Sequence, residues 1–451
     1  MAELIISVSG VRGIIGDSLT GQVAFDFGRT LASHLRRSIQ QPTIVIGRDS
    51  RRSGPLILQA FSAGAMEAGA SVMDLGIVTT PTVGLMTRFL KASAGVVITA
   101  SHNPAPYNGI KMLQPDGIAL SASAIEELKK NYPARNWFCG DVNTIGLFTT
   151  DSRGHAHHVQ TVLQYFDTRK IIQKRYRVVL DSINGAGSIP SPMLLGKLGV
   201  ELIHLNGTAD GHFAHTPEPI RENLTGLCDA VMKHRAAVGF AQDPDADRLA
   251  IVDENGVYIG EEYTLALCVL NRLMKKKGPV VCNLSTSRMI DDIAARFDVP
   301  VIRTPVGEAN VAGRMMKENA LIGGEGNGGV IDLRVGPIRD SLLGMASILE
   351  LLAETGKTIS QLVTDIPAYS VIKEKIDLDR AGAAKLTEKI AAKFADRAPD
   401  RQDGIRVDFG DRWVQFRASN TEPIARLIAE ARTAAEAKTL IDEVLALRAS
   451  V

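Results

Sequence analysis

Three stretches of the chain share one order of predicted elements: a short β-branched run, a helical pattern and a second short apolar run. They begin at Thr43, Arg177 and Pro279. A helical crossover of this kind joins parallel strands, because a tight turn can connect only antiparallel neighbours. Three such units spread over the chain predict three related α/β domains rather than one large sheet.

The C-terminal part of the chain follows a different pattern. A strand around 376–378, an amphipathic helix over 381–394 and a hairpin around Gly410 precede a strand at 427–430 and a closing helix over 434–447. Paired strands followed by a helix predict an α+β domain with an antiparallel sheet.

The expected fold class is α/β, with three related mixed α/β domains plus a C-terminal α+β domain. At roughly 150 residues per domain, the chain is long enough for three or four of them. The boundaries that we expect give four domains: 1–150, 151–255, 256–370 and 371–451.

The balance of charges limits the partners of the chain. Lys plus Arg number 51 and Asp plus Glu number 50, whereas chains that bind nucleic acid or anionic membranes usually carry a basic excess.

No apolar run reaches the roughly 18 residues of a spanning helix, and the N-terminus lacks the basic region of a signal peptide. The four cysteines never form a C-x-x-C pair, as is typical of reduced thiols. We expect a soluble cytoplasmic protein that binds neither nucleic acid nor membranes.

The first loop whose side chains could take part in a reaction is Thr99-Ala-Ser-His-Asn-Pro, directly after an apolar run. Ligands usually bind at the carboxyl ends of strands in α/β sheets, so Ser101 is a candidate nucleophile. The same residues also fit a strand-end turn without chemistry. No Gly-x-Ser-x-Gly elbow occurs, and a serine hydrolase is therefore not supported.

The second loop carries Asp243, Asp245 and Asp247 between two apolar runs. Carboxylates at alternate positions repel one another unless a cation lies between them, and oxygen ligands suit Mg²⁺ or Ca²⁺. An EF-hand is excluded because Arg248 occupies the position of its obligatory glycine. A solvated acidic turn remains the alternative.

The third loop, residues 323–329, is rich in glycine around Glu325 and Asn327. The glycines allow close approach of the backbone to a ligand, and the two polar side chains suit sugar hydroxyls. The run that follows is extended rather than helical, so a dinucleotide fingerprint is excluded. A glycine-rich hairpin is the alternative.

The fourth loop, Arg417-Ala-Ser-Asn-Thr-Glu-Pro, offers a guanidinium, two hydroxyls, an amide and several backbone N–H groups. Such donors recognise phosphate, although a capped connection between strands would look similar. Elsewhere, a histidine cluster is expected to be a solvated loop: His155, His157 and His158.

Loops with these properties, one in each of the four expected domains, indicate one shared central cleft. The sequence resembles the α-D-phosphohexomutase superfamily, which includes phosphoglucomutase, phosphomannomutase and phosphoglucosamine mutase. The resemblance covers essentially the whole chain, and six motifs follow the family's order: Val11-Arg-Gly-Ile-Ile-Gly, Gly47-Arg-Asp-Ser-Arg-Arg-Ser, Thr99-Ala-Ser-His-Asn-Pro with Asn108-Gly-Ile-Lys, Asp243-Pro-Asp-Ala-Asp-Arg, Gly323-Gly-Glu, and Arg417-Ala-Ser-Asn-Thr-Glu-Pro. A single motif can arise by chance, but six in order are highly specific.

The resemblance implies a role for each loop. Ser101 would carry a phosphoryl group, and one of its oxygens would hold a single Mg²⁺ together with Asp243, Asp245 and Asp247. Four side chains would line the transfer site, Lys111 exchanging a proton with the sugar hydroxyl: Arg12, His102, Lys111 and Arg248. Two would grip the sugar: Glu325 and Asn327. Four would hold the phosphate that does not react: Arg417, Ser419, Asn420 and Thr421.

The implied activity is interconversion of hexose 6-phosphate and hexose 1-phosphate through a phosphoserine enzyme. A hexose 1,6-bisphosphate would be both intermediate and activator, and the C-terminal domain, 371–451, would move as a lid. Asn327 and Gly329 replace the Ser and His of many members, so glucosamine, mannose and glucose phosphates all stay open, with phosphoglucosamine mutase favoured. A metal-dependent sugar phosphatase and a non-catalytic sugar-phosphate sensor are the alternatives from other classes. The sequence gives no prediction of oligomeric state.

Overall fold

The computed structural model describes residues 3–418 and 424–448. Four sheets follow one another along the chain, three of them mixed and the last antiparallel. The predicted fold class is confirmed. Within the described part of the chain, no helix is both long and apolar enough to cross a membrane.

The first unit is built on a seven-stranded sheet with the order β1-β2-β6-β5-β3-β4-β7. Its strands are β1 Ile5–Ser7, β2 Gly10–Ile14, β3 Thr43–Arg48, β4 Ser71–Ile77, β5 Ala94–Ile98, β6 Tyr107–Leu113 and β7 Phe148–Thr150. Its helices are α1 Gly21–Arg36, α2 Gly54–Glu67, α3 Thr80–Phe89 and α4 Ala122–Ala134. The parallel pairing of β3 with β4 is the first predicted crossover.

The second unit has the strand order β11-β10-β8-β9, and β8 and β9 pair in parallel as predicted. Its strands are β8 Arg177–Asp181, β9 Glu201–Leu205, β10 Val238–Gln242 and β11 Leu249–Val252. Its helices are α5 Gly154–Leu163, α6 Thr168–Lys174, α7 Pro190–Lys197 and α8 Thr225–His234.

The third unit has the strand order β13-β12-β14-β15, with β12 and β13 parallel. Its strands are β12 Val280–Asn283, β13 Val301–Thr304, β14 Ile322–Glu325 and β15 Gly329–Ile331. Its helices are α9 Glu262–Lys275, α10 Met289–Arg296, α11 Glu308–Glu318, α12 Ser341–Thr355 and α13 Ile359–Thr364. One large apolar core joins the second and third units, since residues of both contribute to it.

The fourth unit is an antiparallel sheet with the order β16-β19-β18-β17. Its elements are β16 Ser370–Asp377, α14 Arg380–Lys393, β17 Ile405–Asp408, β18 Trp413–Ala418, β19 Ile424–Ala431 and α15 Ala434–Arg448. One face of the sheet packs on α14 and α15 through residues such as Phe416 and Leu427. Alternate residues face the third unit, where Gln415 accepts a hydrogen bond from Ser285 at 2.7 Å.

The first three units share one arrangement of four strands, which positions their loops. In each unit two parallel strands joined by a crossover are followed by a third parallel strand, and a fourth strand returns antiparallel to the third. The returning hairpins are β5–β6, β10–β11 and β14–β15. The serine loop, the aspartate loop and the glycine-rich loop lie at the tips of these three hairpins. They therefore occupy equivalent positions in three copies of one topology.

Helices α1 and α2 approach each other closely at two glycines. A Cβ atom on Gly28 would lie 2.1 Å from the carbonyl oxygen of Phe61, and one on Gly64 would lie 2.0 Å from that of Phe25. Neither distance is possible for a real side chain, so any larger residue must push the helices apart. The first unit depends on these glycines because its main core lies under the two helices.

We expect Gly28→Ala to lower the free energy of unfolding by about 2–3 kcal/mol, because overpacking displaces backbone that cannot yield. The matched control is Gly313→Ala in α11, where nothing lies within 4 Å of the added methyl group. That variant should gain about 0.5–1 kcal/mol through helix propensity. Urea unfolding followed by circular dichroism measures both, and equal stability of the two variants would contradict the close contact.

Candidate active site

Ser101 lies in hydrogen-bond contact with the aspartate loop, although the two are 142 residues apart in the chain. Its Oγ donates to Asp243 Oδ2 at 2.9 Å and lies 3.3 Å from Nδ1 of His102. The serine is 5% exposed and has a φ of +49°, in the left-handed region that a non-glycine residue adopts only when its surroundings enforce it. The structure thus brings together the first two predicted loops.

The guanidinium of Arg51 enforces this conformation. Its Nη2 donates to the carbonyl oxygens of Ser101 and Asn103, both at 2.7 Å. Its Nη1 donates to the carbonyls of Pro104 at 2.9 Å and Tyr107 at 3.1 Å. One buried side chain therefore fixes four carbonyl groups of the serine loop.

Four further contacts complete the support of the loop. Asp49 accepts from Arg51 Nε at 3.0 Å and from the hydroxyl of Thr99 at 2.7 Å. Thr99 Oγ1 accepts from the backbone N–H of Ser101 at 2.9 Å, and the ring of Phe213, from the second unit, covers the guanidinium at 4.9 Å. The position of Ser101 therefore depends on both the first and the second unit.

Asp243, Asp245 and Asp247 form a buried cage. All three are 0% exposed, and one carboxylate oxygen from each lies within 4.8 Å of the others. Oδ1 of Asp245 and Oδ1 of Asp247 have no hydrogen-bond partner among the described residues. Burial and repulsion by its two neighbours raise the pKa of Asp243 well above its ordinary value. Unpartnered carboxylate oxygens in this arrangement are suited to a hard divalent cation, and the donor set fits Mg²⁺.

Cationic side chains surround the cage. Lys111 Nζ lies 3.3 Å from Asp247 Oδ2 and 3.3 Å from Glu308 Oε2. Burial alone would lower the Lys111 pKa, but these two carboxylates outweigh it and raise the pKa. Burial would raise the pKa of Asp247, yet Arg339, Lys111 and Arg248 lower it. The ammonium group and Asp247 are therefore both charged.

The remaining predicted transfer residues lie beside the serine loop and the cage. Arg12 Nη1 donates to Oδ1 of Asn103 at 2.9 Å, which places it beside the serine loop. Arg248 follows the aspartate loop, with its Nε 3.9 Å from Asp247 Oδ1. Burial and these two guanidinium groups lower the pKa of His102 to about 3, so its ring is neutral near pH 7. The structure thus brings all four predicted transfer residues to one place.

Glu325 is held by three donors from outside the third loop and, at 3.5 Å, by Nδ2 of Asn327 within it. Its Oε1 accepts from Asn283 Nδ2 at 2.8 Å and from the backbone N–H of Gly307 at 3.1 Å, and its Oε2 accepts from Arg339 Nη1 at 2.7 Å. The amide oxygen of Asn327 is buried without a partner in the part of the chain that the structure describes. The loop therefore presents a fixed carboxylate and an amide that can still bind a ligand.

Arg339 joins the second and third loops, and the sequence analysis did not identify it. Its Nη2 donates to Asp247 Oδ2 at 2.5 Å while its Nη1 holds Glu325. Glu308, at the start of α11, accepts from the backbone N–H of Arg339 at 2.8 Å. The sequence contained one signal for this residue. Asp340 precedes an apolar helical run, as a capping Asp typically does, and it caps α12 in the structure. The cap fixes the position of the preceding residue, Arg339.

A cavity of about 160 Å³ lies between the third and fourth units. Glu325, Asn327 and Arg417 all line it, so the third and fourth loops share one space. Arg417 Nη1 donates to Asp403 Oδ2 at 2.8 Å, and its Nε has no partner within the described ranges. The other predicted phosphate-binding residues lie outside the described residues: Ser419, Asn420 and Thr421.

The prediction of a solvated loop at the histidine cluster is wrong, because His155, His157 and His158 all lie on helix α5 and His158 is buried. Its ring is 0% exposed, with Nδ1 2.8 Å from Thr82 Oγ1 and Nε2 2.8 Å from Asp340 Oδ2. It connects the first, second and third units, because each contributes one of these residues. The histidine lies on α5, whose inner face is covered by the neighbouring units, and a single-helix pattern does not show that contact.

We expect Arg51→Lys to lower the free energy of unfolding by roughly 2–4 kcal/mol, because a lysine cannot donate to four carbonyls and leaves buried acceptors unsatisfied. The control is Arg153→Lys, at an exposed arginine paired with Asp151, which should unfold at the same urea concentration as the wild type. Urea unfolding compares the two, and a loss no larger in Arg51→Lys than in the control would contradict the role of Arg51.

Four family models match the chain in order. Those for phosphoglucomutase/phosphomannomutase α/β/α domains I, II and III match residues 4–137, 156–256 and 261–369, and that for the C-terminal domain matches residues 376–447. A phosphoglucomutase/phosphomannomutase of Thermococcus kodakarensis is 38% identical over 450 residues, 96% of each chain. A probable phosphoglucosamine mutase of Methanopyrus kandleri is 35% identical over 446 residues, 96% of this chain and 95% of the other.

Solved structures of proteins with related names share this fold. A phosphoglucomutase/phosphomannomutase family protein of Burkholderia thailandensis has a TM-score of 0.87 at 27% identity, covering 98% of this chain and 96% of its own. The Aspergillus fumigatus N-acetylphosphoglucosamine mutase, in complex with GlcNAc-6P and magnesium, has a TM-score of 0.58 at 16% identity, covering 99% and 95%, which shows the fold alone. The chain belongs to the phosphoglucomutase/phosphomannomutase family of phosphohexomutases, enzymes that are intramolecular phosphotransferases.

Proposed function

We propose that this chain interconverts hexose 6-phosphates and hexose 1-phosphates, with Ser101 as the phosphoryl carrier. The observation that carries the proposal is the 2.9 Å contact between Ser101 Oγ and Asp243 of the buried carboxylate cage. A hydroxyl held against a cation cage, with Arg12 and Arg248 beside it, is the arrangement that phosphoryl transfer needs. That reaction depends on positioning and on stabilisation of charge more than on covalent help.

In the first step the phosphoryl group leaves Ser101 Oγ and bonds to the free hydroxyl of a hexose phosphate, which gives a 1,6-bisphosphate. We assign the proton exchange at the sugar oxygen to Lys111. Its charged ammonium group donates one proton to Ser101 Oγ as that oxygen leaves phosphorus and takes up the proton of the attacking sugar hydroxyl, so that Lys111 is charged before and after the step. Asp243, Asp245 and Asp247 would hold Mg²⁺ with an oxygen of phosphorylated Ser101. When bound, that ion supplies stabilisation of the negative charge on the transferring group.

In the second step the bisphosphate is bound in the opposite orientation and returns its other phosphoryl group to Ser101. Arg417 and the three residues that follow Ala418 would hold the distal phosphate in either orientation. Glu325 and Asn327 would bind sugar hydroxyls, since one presents a fixed carboxylate and the other an unpartnered amide oxygen. Closure of the C-terminal unit would exclude water from phosphorylated Ser101.

Among the sugars, we propose glucosamine phosphate as the preferred substrate, with mannose and glucose phosphates as alternatives. Several archaeal relatives bear the name probable phosphoglucosamine mutase, while the relative from Thermococcus kodakarensis at 38% identity bears the broader name. The A. fumigatus protein with this fold, solved with GlcNAc-6P and magnesium, supports a sugar phosphate and a divalent cation as the ligands.

We expect Ser101→Ala to lower the kcat of isomerisation by at least about 10³-fold, because the phosphoryl group then has no carrier. Intact-mass spectrometry after incubation with glucose 1,6-bisphosphate should show one added phosphoryl group on the wild type and none on the variant. The control is Ser62→Ala, a buried serine of α2 without a hydrogen-bond partner in the described ranges, which should behave as wild type. Normal turnover by Ser101→Ala would remove this serine from the mechanism.

We expect the wild type to bind one Mn²⁺, used as a spectroscopic substitute for Mg²⁺, and Asp245→Asn to bind it at least about tenfold more weakly. The reason is that the cage loses one of three anionic ligands. Electron paramagnetic resonance of free Mn²⁺ measures the affinity without reference to activity. Asp210→Asn, at an exposed aspartate, is the control. Equal affinity in Asp245→Asn and the control would show that the cation is held elsewhere.

A further inference from the structure

The cavity between the third and fourth units has one wall lined by acidic side chains and one wall lined by basic side chains. On the side of the third unit, two carboxylates line it, those of Glu262 and Glu325. On the side of the antiparallel sheet, the lining includes three cations: Lys373, Arg417 and Arg426. Arg417 and Arg426 are directly opposite each other on β18 and β19, an arrangement that favours a bound anion because like charges across a sheet repel.

The two carboxylates differ in how they are compensated. Glu325 has a direct ion pair with Arg339 at 2.7 Å. Glu262 accepts a single hydrogen bond, from the backbone N–H of Ser287 at 3.1 Å, and no cationic side chain of the described residues donates to it. Lys373, the nearest candidate, is paired with Glu261 at 2.5 Å. Glu262 therefore retains capacity to accept a hydrogen bond from something else.

The backbone of the sugar-binding loop lies directly against Glu262. A Cβ atom on Gly326 would lie only 2.0 Å from Glu262 Oε2 and 2.2 Å from its Oε1. Gly326 stands between Glu325 and Asn327, the two residues assigned to the sugar. A ligand that contacts both of these side chains is consequently within reach of the Glu262 carboxyl group.

Burial raises the pKa of Glu262 to about 8, because the attraction of Lys373 and the hydrogen bond from Ser287 offset it only in part. Near pH 7 the free carboxyl group is therefore largely protonated, and a cation bound beside it would favour its charged form. A buried acceptor without a counterion is costly, and a ligand that brings a positive charge to it removes that cost. A neutral hydroxyl can hydrogen-bond there but brings no charge. A cationic group therefore complements the acidic wall best, on a ligand whose phosphate can bind to the basic wall opposite.

We propose that Glu262 is a specificity-determining residue that binds the ammonium group of an amino-hexose phosphate, so that the cavity favours amino sugars over neutral hexoses. The inference rests on the proposed mutase function and adds to it the residue and the interaction that select the sugar. Arg417, with Arg426 beside it, receives the phosphate on the opposite wall. One cavity thus binds both charged ends of a zwitterionic ligand.

The test compares Glu262→Gln with wild type on substrates that differ at carbon 2. Glucosamine 6-phosphate carries an ammonium group, glucose 6-phosphate a hydroxyl and N-acetylglucosamine 6-phosphate an uncharged amide. We expect the wild type to favour glucosamine 6-phosphate over both others at least tenfold in kcat/KM. Glu262→Gln should lose at least tenfold on glucosamine 6-phosphate, because a charge-assisted hydrogen bond is lost, and should stay within threefold on glucose 6-phosphate.

The matched control is Glu261→Gln, which removes the adjacent carboxylate and its pair with Lys373 but leaves Glu262 in place. It should keep the wild-type ratio between the sugars. Isothermal titration of the three sugar phosphates gives the same comparison as Kd values and does not depend on turnover. Glu262→Asp keeps the carboxyl group and should retain a preference for glucosamine 6-phosphate. If Glu262→Gln fails to fold, the sugar preference of Glu262→Asp is measured in its place.

Three results would overturn the inference. The first is a wild type that does not prefer glucosamine 6-phosphate; the second is an equal loss on all sugars in Glu262→Gln, which would indicate a structural role. The third is the same change of ratio in Glu261→Gln. In each case the mutase function stands if the wild type still isomerises a hexose phosphate. Failure of the wild type to isomerise any of them, with no phosphorylation of Ser101, would instead overturn the proposed function.

Discussion

Three carboxylates buried within 4.8 Å of one another create the constraint on which the rest of the site depends. Their mutual repulsion in a medium of low dielectric must be compensated, and the cations that do so come from all of the first three units. Lys111 comes from the first unit, Arg248 from the second and Arg339 from the third. The cage is therefore also an electrostatic junction between three units, and the cleft forms around it.

Arg339 makes two functions of the site interdependent. The same guanidinium compensates Asp247 in the cage and fixes Glu325 in the sugar-binding loop. A change in the charge of the cage must therefore alter how strongly this guanidinium interacts with Glu325. Phosphoryl transfer and sugar binding are therefore connected through one side chain, even though their loops belong to different units.

Much of the fold follows from the sequence because the evidence is local. The crossover pattern predicted the parallel pairs β3–β4, β8–β9 and β12–β13, and the contrasting C-terminal pattern predicted the antiparallel sheet. The strand β7 was not predicted, because its three exposed residues carry no apolar pattern and are ordered only by pairing with β4. Arg51, Arg339 and His158 were missed for a related reason. Their partners lie mostly in other elements or units, and such contacts leave no periodic signal in a single sequence.

The equivalent placement of three hairpins has a consequence for how such a molecule can change. Each hairpin tip contributes one function, yet each rests on its own parallel strands and crossover helices. A substitution at the glycine-rich tip can retune which ligand is accepted while leaving the geometry of the serine tip intact. Repetition of one scaffold thus confines changes of ligand specificity to a few short turns, and the strands and helices beneath them need not change.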